Sequence, residues 1–333
     1  MRRSPRFLGD RPKTPSHPAP PRICPVLVQN GGMDPLSDVL SLLKPRSYVS
    51  SGLDAGAPWS IGFPDQNRLI KCYAVVSGQC WLVIEGVAPA TLLTTGDCFV
   101  LPSGRAFRLA SDVTLPAQAS SLYFPPPAPA STVLINGGGD CHLVGSRFGV
   151  SGRYADMLMA MLPPVVHIRS PSGRAALRWS VEHMMEEQQA ARPGSTLVAQ
   201  HLAHMMLIQA LRLHVEHADP HGAGWLFGIA DKQLGPVITA IHADPARRWT
   251  LEALARAAYM SRSAFAQRFK DTIGLSPMEY VTRWRMLLAA DRLENSQDSV
   301  SAVALALGYE SESAFSTAFK RVMGAAPRHY ATK

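Results

Sequence analysis

The chain has 333 residues, of which 47% are hydrophobic and 17% charged, and its formal net charge is +8. That describes a globular protein of two or three domains with real cores. No apolar run approaches the ~18 to 20 residues of a membrane helix, and five scattered cysteines without a CxxC exclude a disulfide scaffold, so a reduced, cytoplasmic protein is expected.

The charge is unevenly placed. Residues 1–32 carry six basic and one acidic side chain (+5), residues 33–235 carry fourteen and fifteen (−1), and residues 236–333 carry thirteen and nine (+4). A basic tail and a basic carboxy-terminal region around a neutral centre suit a chain that meets phosphates at one end. Residues 1–32 are rich in Pro and Arg, have no periodic apolar face, lack the apolar core of a secretory signal, and read as disordered. They are either a basic arm that adds nonspecific DNA affinity or lie upstream of a true start at Met33, which directly precedes the capped helix pattern Asp34-Pro-Leu-Ser-Asp-Val-Leu40.

Residues 33–150 form the next unit. Lys71 to Val76, Cys80 to Ile84, Thr91 to Thr94, Phe99 to Leu101 and Thr132 to Ile135 are β-branched or aromatic runs separated by Ser-Gly, Glu-Gly and Thr-Gly-Asp turns. Many short strands predict a small barrel or jelly roll. Within it, Gly96-Asp-Cys-Phe-Val-Leu-Pro102-Ser-Gly104-Arg-Ala-Phe107 resembles the second cupin motif, with Phe107 standing where that motif usually has a metal-binding His. Phenylalanine has no lone pair to give a metal, and the His-x-His of the first motif is absent around Cys72 and Tyr73, so no metal or other cofactor is expected. A barrel able to hold a small-molecule effector remains, with Tyr73, Trp81, Phe99 and Phe107 as candidate pocket walls or simply core. Cys72, Cys80 and Cys98 are either oxidant-sensing thiols or small buried hydrophobes, and Lys71 is the one neighbour in sequence that could favour a thiolate.

Residues 151–222 read as a helical linker and dimerisation region. Tyr154 to Leu162 forms a short helix stopped by Pro163-Pro164, Ala175 to Ala190 a second, and Thr196 to His217 a third whose apolar residues lie on more than one face. One side is expected to meet the same helix of a second subunit, making a homodimer. His201, His204, His214, His217 and His221 lack an adjacent Cys or carboxylate cluster, so no metal site is expected there.

Residues 235–333 contain one pattern written twice. Thr250 to Phe265 leads through Phe269-Lys270 to Gly274-Leu-Ser-Pro277, and Ser299 to Phe315 leads through Phe319-Lys320 to Gly324-Ala-Ala-Pro327. Each copy predicts two short helices joined by a tight turn, with Ser261 or Ser311 as N-cap of the second helix and Gly274 or Gly324 at its end. With Gly308-Tyr-Glu-Ser311 before the second copy and a final Pro327-Arg-His-Tyr330, these two helix-turn-helix units resemble the DNA-binding domain of the AraC/XylS family of transcription regulators. The resemblance implies an α+β, multidomain protein: an N-terminal cupin-like β-barrel, a helical linker and dimerisation region, and a C-terminal all-α double helix-turn-helix. It also implies double-stranded promoter DNA and RNA polymerase as partners. The alternative is a cupin-type enzyme carrying a DNA-tethering domain.

If Phe265 and Phe269 face inward, helical geometry puts Arg262, Ser263, Ala266, Gln267 and Lys270 on the DNA side of the first recognition helix. Glu312, Ser313, Ser316, Thr317 and Lys320 occupy the corresponding face of the second. Gln267 suits adenine, Arg262 guanine or phosphate, and the hydroxyls suit base edges or backbone. Arg256, Arg283, Arg285 and Arg321 are the expected phosphate partners.

Overall fold

The computed structural model describes residues 34–43, 45–65, 68–102, 104–125, 132–150, 154–168, 192–216 and 224–331, together with scattered residues between 177 and 190. The amino-terminal tail, His217 and His221 lie outside the described residues, as does part of the helix expected over 175–190; those positions of it that are described are helical.

Asp34 opens the first helix by accepting hydrogen bonds from the Ser37 amide at 3.1 Å and the Ser37 hydroxyl at 2.6 Å, which satisfies one of the first-turn donors. Helix α1 (Pro35–Leu43) then buries Leu36, Val39, Leu40, Leu42 and Leu43.

Among the described residues ten strands follow: β1 (Pro45–Ala55), β2 (Ser60–Phe63), β3 (Leu69–Ile84), β4 (Val87–Thr94), β5 (Cys98–Leu101), β6 (Phe107–Ala110), β7 (Gln118–Ala119), β8 (Thr132–Ile135), β9 (Cys141–Val150) and β10 (Val166–Ile168). The two runs Lys71 to Val76 and Cys80 to Ile84 are a single strand. Gly78, at φ +79°, is part of its course rather than a turn between two strands. The first half of β3 pairs with β9 and β5, the second with β4 and β6. This shared strand curls the sheet into a half-barrel.

The register shifts between Val75 and Ser77, and such a bulge exchanges the faces of alternating side chains. Before it, Val75 joins the lumen cluster with Phe99, Leu101 and Leu143; beyond it, Cys80, Leu82 and Ile84 do. Ile70, Cys72 and Ala74 turn to the opposite face, into the core shared with the helices.

Helices α2 (Ala155–Met159) and α3 (Ser195–Glu216) cover that face. Leu202, Met206, Leu207, Ala210 and Leu211 of α3 are buried there, whereas Leu197 and Val198 in its first turn remain 59% and 45% exposed. The same buried core continues without a break into α4 (Trp225–Ala230), α5 (Leu234–Ala243), α6 (Leu251–Ala257), α7 (Arg262–Ile273), α8 (Pro277–Asn295), α9 (Val300–Ala306) and α10 (Glu312–Met323). Helix α1 belongs to this helical core rather than to the barrel lumen. Among the described residues no helix is long and apolar enough to cross a membrane.

Candidate nucleic-acid interface

Helices α6 and α7 form the first two-helix unit, α9 and α10 the second, and α8 joins them. Thr250, Ser261, Ser276, Ser299 and Ser311 cap the five helices in turn, each hydroxyl accepting the amide three residues on. Gly274 and Gly324 end α7 and α10 at φ +81° and +76°, in the left-handed conformation that closes a helix. The sharp turn inside each unit needs another positive φ: Tyr259 adopts +55° in the first and Gly308 +78° in the second.

Phe265 and Phe269 of α7, and Phe315 and Phe319 of α10, are fully buried, and this fixes which way each helix faces. Arg262, Ser263, Gln267 and Lys270 are exposed, with Ala266 half-buried between them. Glu312, Ser313, Thr317 and Lys320 are exposed in the second unit, with Ser316 half-buried. The Gln267 amide donates to Asp271 at 2.8 Å, which holds its plane while leaving the carbonyl oxygen and a second N–H for a base edge. Thr317 instead donates to the Ser313 carbonyl at 3.0 Å.

The arginines divide by what they already hold. Arg256 and Arg283 pair with Glu252 at 3.2 Å and Glu279 at 2.9 Å, one turn back on their own helices; exposed pairs of this kind are worth only a few tenths of a kcal/mol and exchange readily for phosphate. Arg321 is exposed at the end of α10. Arg285 is committed internally: it donates to the carbonyls of Pro245 at 2.7 Å and Arg247 at 2.8 Å and lies over the Tyr309 ring. It braces the loop between α5 and α6 rather than standing ready for phosphate. Arg268, which sequence reasoning missed, locks α7 to the α4–α5 turn through Asp231 at 2.6 Å and Gln233 at 2.7 Å.

Of the proposed pocket walls, Tyr73 lines a barrel cavity of about 220 Å³. Phe99 stacks on Tyr73 at 4.9 Å, and Phe107 stacks on Phe63 at 4.5 Å beside it. Trp81 belongs to neither buried cluster, because the bulge in β3 puts Cys80 and Leu82 on the lumen face and Trp81 on the other. The thiols are buried as well. Desolvation pushes the Cys72 thiol well above its usual range, and a hydrogen bond with Cys141, together with burial, pushes Cys80 up. Cys98 lies in the core beneath the helices. All three are buried, whereas oxidant sensing requires an accessible thiolate. A larger cavity of about 720 Å³, bounded by Met157, Met161, Trp225, Phe227 and Leu287, lies between α2 and the DNA-binding helices. It was invisible in sequence because its walls come from segments spread over 130 residues, Met157 to Leu287.

The cupin profile matches residues 34–216 and a helix-turn-helix domain profile matches residues 254–333. An AraC-like transcription regulator of Streptomyces lividans is 41% identical over 279 residues, covering 83% of this chain and 91% of that one. The chain belongs to the AraC family of transcription regulators. A second relative, an AraC-like transcription regulator of Streptomyces antibioticus, shows the same identity and coverage. Among solved structures, the DNA-binding domain of AdpA in complex with a target DNA is 34% identical, covering 29% of this chain and 88% of that one, with a TM-score of 0.29. The regulator is therefore a cupin-type barrel joined to a DNA-binding double helix-turn-helix.

Proposed function

We propose that occupancy of the barrel by a small molecule biases the DNA-binding helices of this regulator, which acts as a cytoplasmic homodimer on promoter DNA alongside RNA polymerase. The observation that carries the effector reading is the unbroken core. The outer face of the barrel sheet, helix α3 and both recognition-helix units pack into one cluster, so a shift of β3 or β9 is felt at the packing that aims α7 and α10. The division into a sensory unit over 33–150, a linker over 151–222 and a DNA-binding unit over 235–333 goes with this reading, with α1 docked on the helical side.

The alternative of a tethered cupin enzyme is weaker, since Phe107 occupies the motif's ligand position and offers a metal nothing. For dimerisation, the exposed Leu197 and Val198 are the apolar surface that α3 leaves for a second copy. Leu197→Asp should shift the protein from dimer to monomer in analytical ultracentrifugation, and a wild-type protein that is monomeric at micromolar concentration while binding DNA tightly would remove dimerisation from the mechanism.

Base reading rests on α7 more than on α10. Replacing Gln267 with Ala should remove about 1 to 3 kcal/mol of discrimination at one or two base pairs, read by comparing binding to every single-base variant of a genomically mapped site. Arg256→Ala and Arg321→Ala should instead weaken binding to all sequences alike and flatten its salt dependence by about one unit each. A uniform loss for Gln267→Ala would mean that α7 does not face the bases.

A further inference from the structure

Lys71 is the anomaly of the barrel. Its side chain is in the wall of the 220 Å³ cavity, it is only 2% exposed, and its ammonium nitrogen is buried without a hydrogen-bond partner. Directly across the ladder, on β9, its register partner is Arg147, which lines the same cavity. Like charges placed opposite one another on a sheet face are destabilising, and no carboxylate among the described residues pairs with either. Burial and the Arg147 charge push the Lys71 ammonium down to about 7, because the barrel wall solvates its charged form poorly. What holds it there is aromatic: the nitrogen lies 4.4 Å from the Phe107 ring centroid and 4.9 Å from that of Phe63, a contact that offsets part of the desolvation. Phe107 is also the position where the motif of this segment has its metal-binding histidine. The lumen thus keeps a basic group at that place, an amine whose charged form a bound anion would favour.

We propose that this cavity is a receptor for a small organic monocarboxylate with a compact apolar body, its carboxylate bridging Lys71 and Arg147 and its body lying against Tyr73 and Phe124. This rests on the effector reading above and names the ligand's chemistry. The walls sort themselves accordingly: two cations and the hydroxyls of Ser51 and Ser120 line the cavity, with Leu53, Leu109 and Leu143 supplying apolar surface and no acidic side chain present. At roughly 30 Å³ per water-sized group, the volume admits a ligand of about seven to ten non-hydrogen atoms, the size of benzoate or hexanoate. A buried cation left unpaired costs far more than a paired one, so the carboxylate supplies what the fold omits. That unpaired charge gives specificity against neutral isosteres.

The test uses the full-length protein at pH 7, with benzoate, hexanoate and octanoate set against benzamide, hexanamide and inorganic phosphate, read by calorimetry and by melting temperature. At least one carboxylate should bind and raise the melting temperature, and its amide should bind at least 100-fold more weakly. Lys71→Met should abolish carboxylate binding and melt above the wild-type protein without ligand, because the unpaired charge is gone; Arg147→Met should weaken binding about 10-fold. The higher melting point of Lys71→Met shows that it folds. Equal binding of acid and amide, unchanged binding in Lys71→Met, no binding by any carboxylate, or binding by phosphate alone would each overturn the proposal. Lys71→Met melting no higher than wild type would do so too. If amides bind and alter DNA affinity, the barrel remains an effector site and only the carboxylate class falls. If no compound in the barrel alters DNA affinity, the effector reading itself falls.

Discussion

Gly308→Ala is expected to destabilise the regulator by about 3 kcal/mol, lowering its melting temperature by roughly 10 °C. Gly308 sits at φ +78°, where an alanine costs about 1 kcal/mol in backbone strain. The larger part is steric. A Cβ there would overlap the Ala246 carbonyl oxygen and stand 2.9 Å from its carbon, in the loop before the first unit. That loop cannot retreat cheaply, since Arg285 holds the carbonyls on either side of Ala246, at Pro245 and Arg247, and overpacking against fixed atoms costs 1 to 3 kcal/mol. Gly324→Ala is the internal control. It has nearly the same φ, +76°, but nothing lies within 4 Å of its would-be Cβ, so it should cost only about 1 kcal/mol. At the position of the first unit that corresponds to Gly308, Tyr259 already bears a positive φ, and it is 94% exposed. Tyr259→Gly should leave stability within about 1 kcal/mol of wild type, strain released in the folded state being offset by freedom gained in the unfolded one. Equal melting shifts for Gly308→Ala and Gly324→Ala would show that the Ala246 contact does not set the cost.

Those three positions also show where the sequence was legible. The duplicated pattern identified the four helices of the two units, α6, α7, α9 and α10, because hydroxyl caps, terminal glycines and paired phenylalanines act over three to five residues and tertiary contacts do not override them; helix α5, which lies outside the repeat, was not read. The exposed faces of α7 and α10 followed from burying Phe265, Phe269, Phe315 and Phe319. The barrel was legible as a class only. Strand β1 was missed because its run Pro45-Arg-Ser-Tyr-Val-Ser-Ser-Gly is mostly polar, and its pairing with β9 spans about ninety residues. Trp81 was placed in the pocket because a bulge that exchanges faces leaves no local signature. Arg285 looked like a surface cation because its acceptors, the backbone carbonyls of Pro245 and Arg247 some forty residues away, carry no side-chain signal at all. Lys71 drew notice only as a neighbour of Cys72, although adjacent strand residues point to opposite faces.

Tyr280→Phe is expected to cost about 2 to 4 kcal/mol and to loosen the barrel side from the DNA-binding helices. The Tyr280 hydroxyl accepts from the Trp225 indole N–H at 2.8 Å and meets His242 Nε2 at 2.8 Å, and His242 Nδ1 meets the Asp38 carboxylate at 3.0 Å. A neutral imidazole with its proton on Nδ1 satisfies every member of this row: indole to hydroxyl, hydroxyl to Nε2, Nδ1–H to carboxylate. The row ties α1, α4, α5 and α8 together inside the core, and losing the one hydroxyl orphans two buried groups at about 1 to 3 kcal/mol each. It also has a pH sign. Burial holds His242 below the ordinary imidazole range, outweighing Asp38, which pulls the other way, and burial lowers His204 and His214 too. For a histidine depressed in the folded state, the unfolded chain binds the extra proton first, so stability is complete above about pH 6.5 and falls as the pH drops below it. Melting temperature should therefore decline from pH 7 to pH 5, and more steeply for the wild type than for His242→Gln, which loses stacking on Trp284 at 3.8 Å but no longer titrates. Parallel pH profiles for the two proteins would place the acid sensitivity elsewhere. A Tyr280→Phe protein as stable as wild type would mean that Trp225 and His242 find other partners once the hydroxyl is gone.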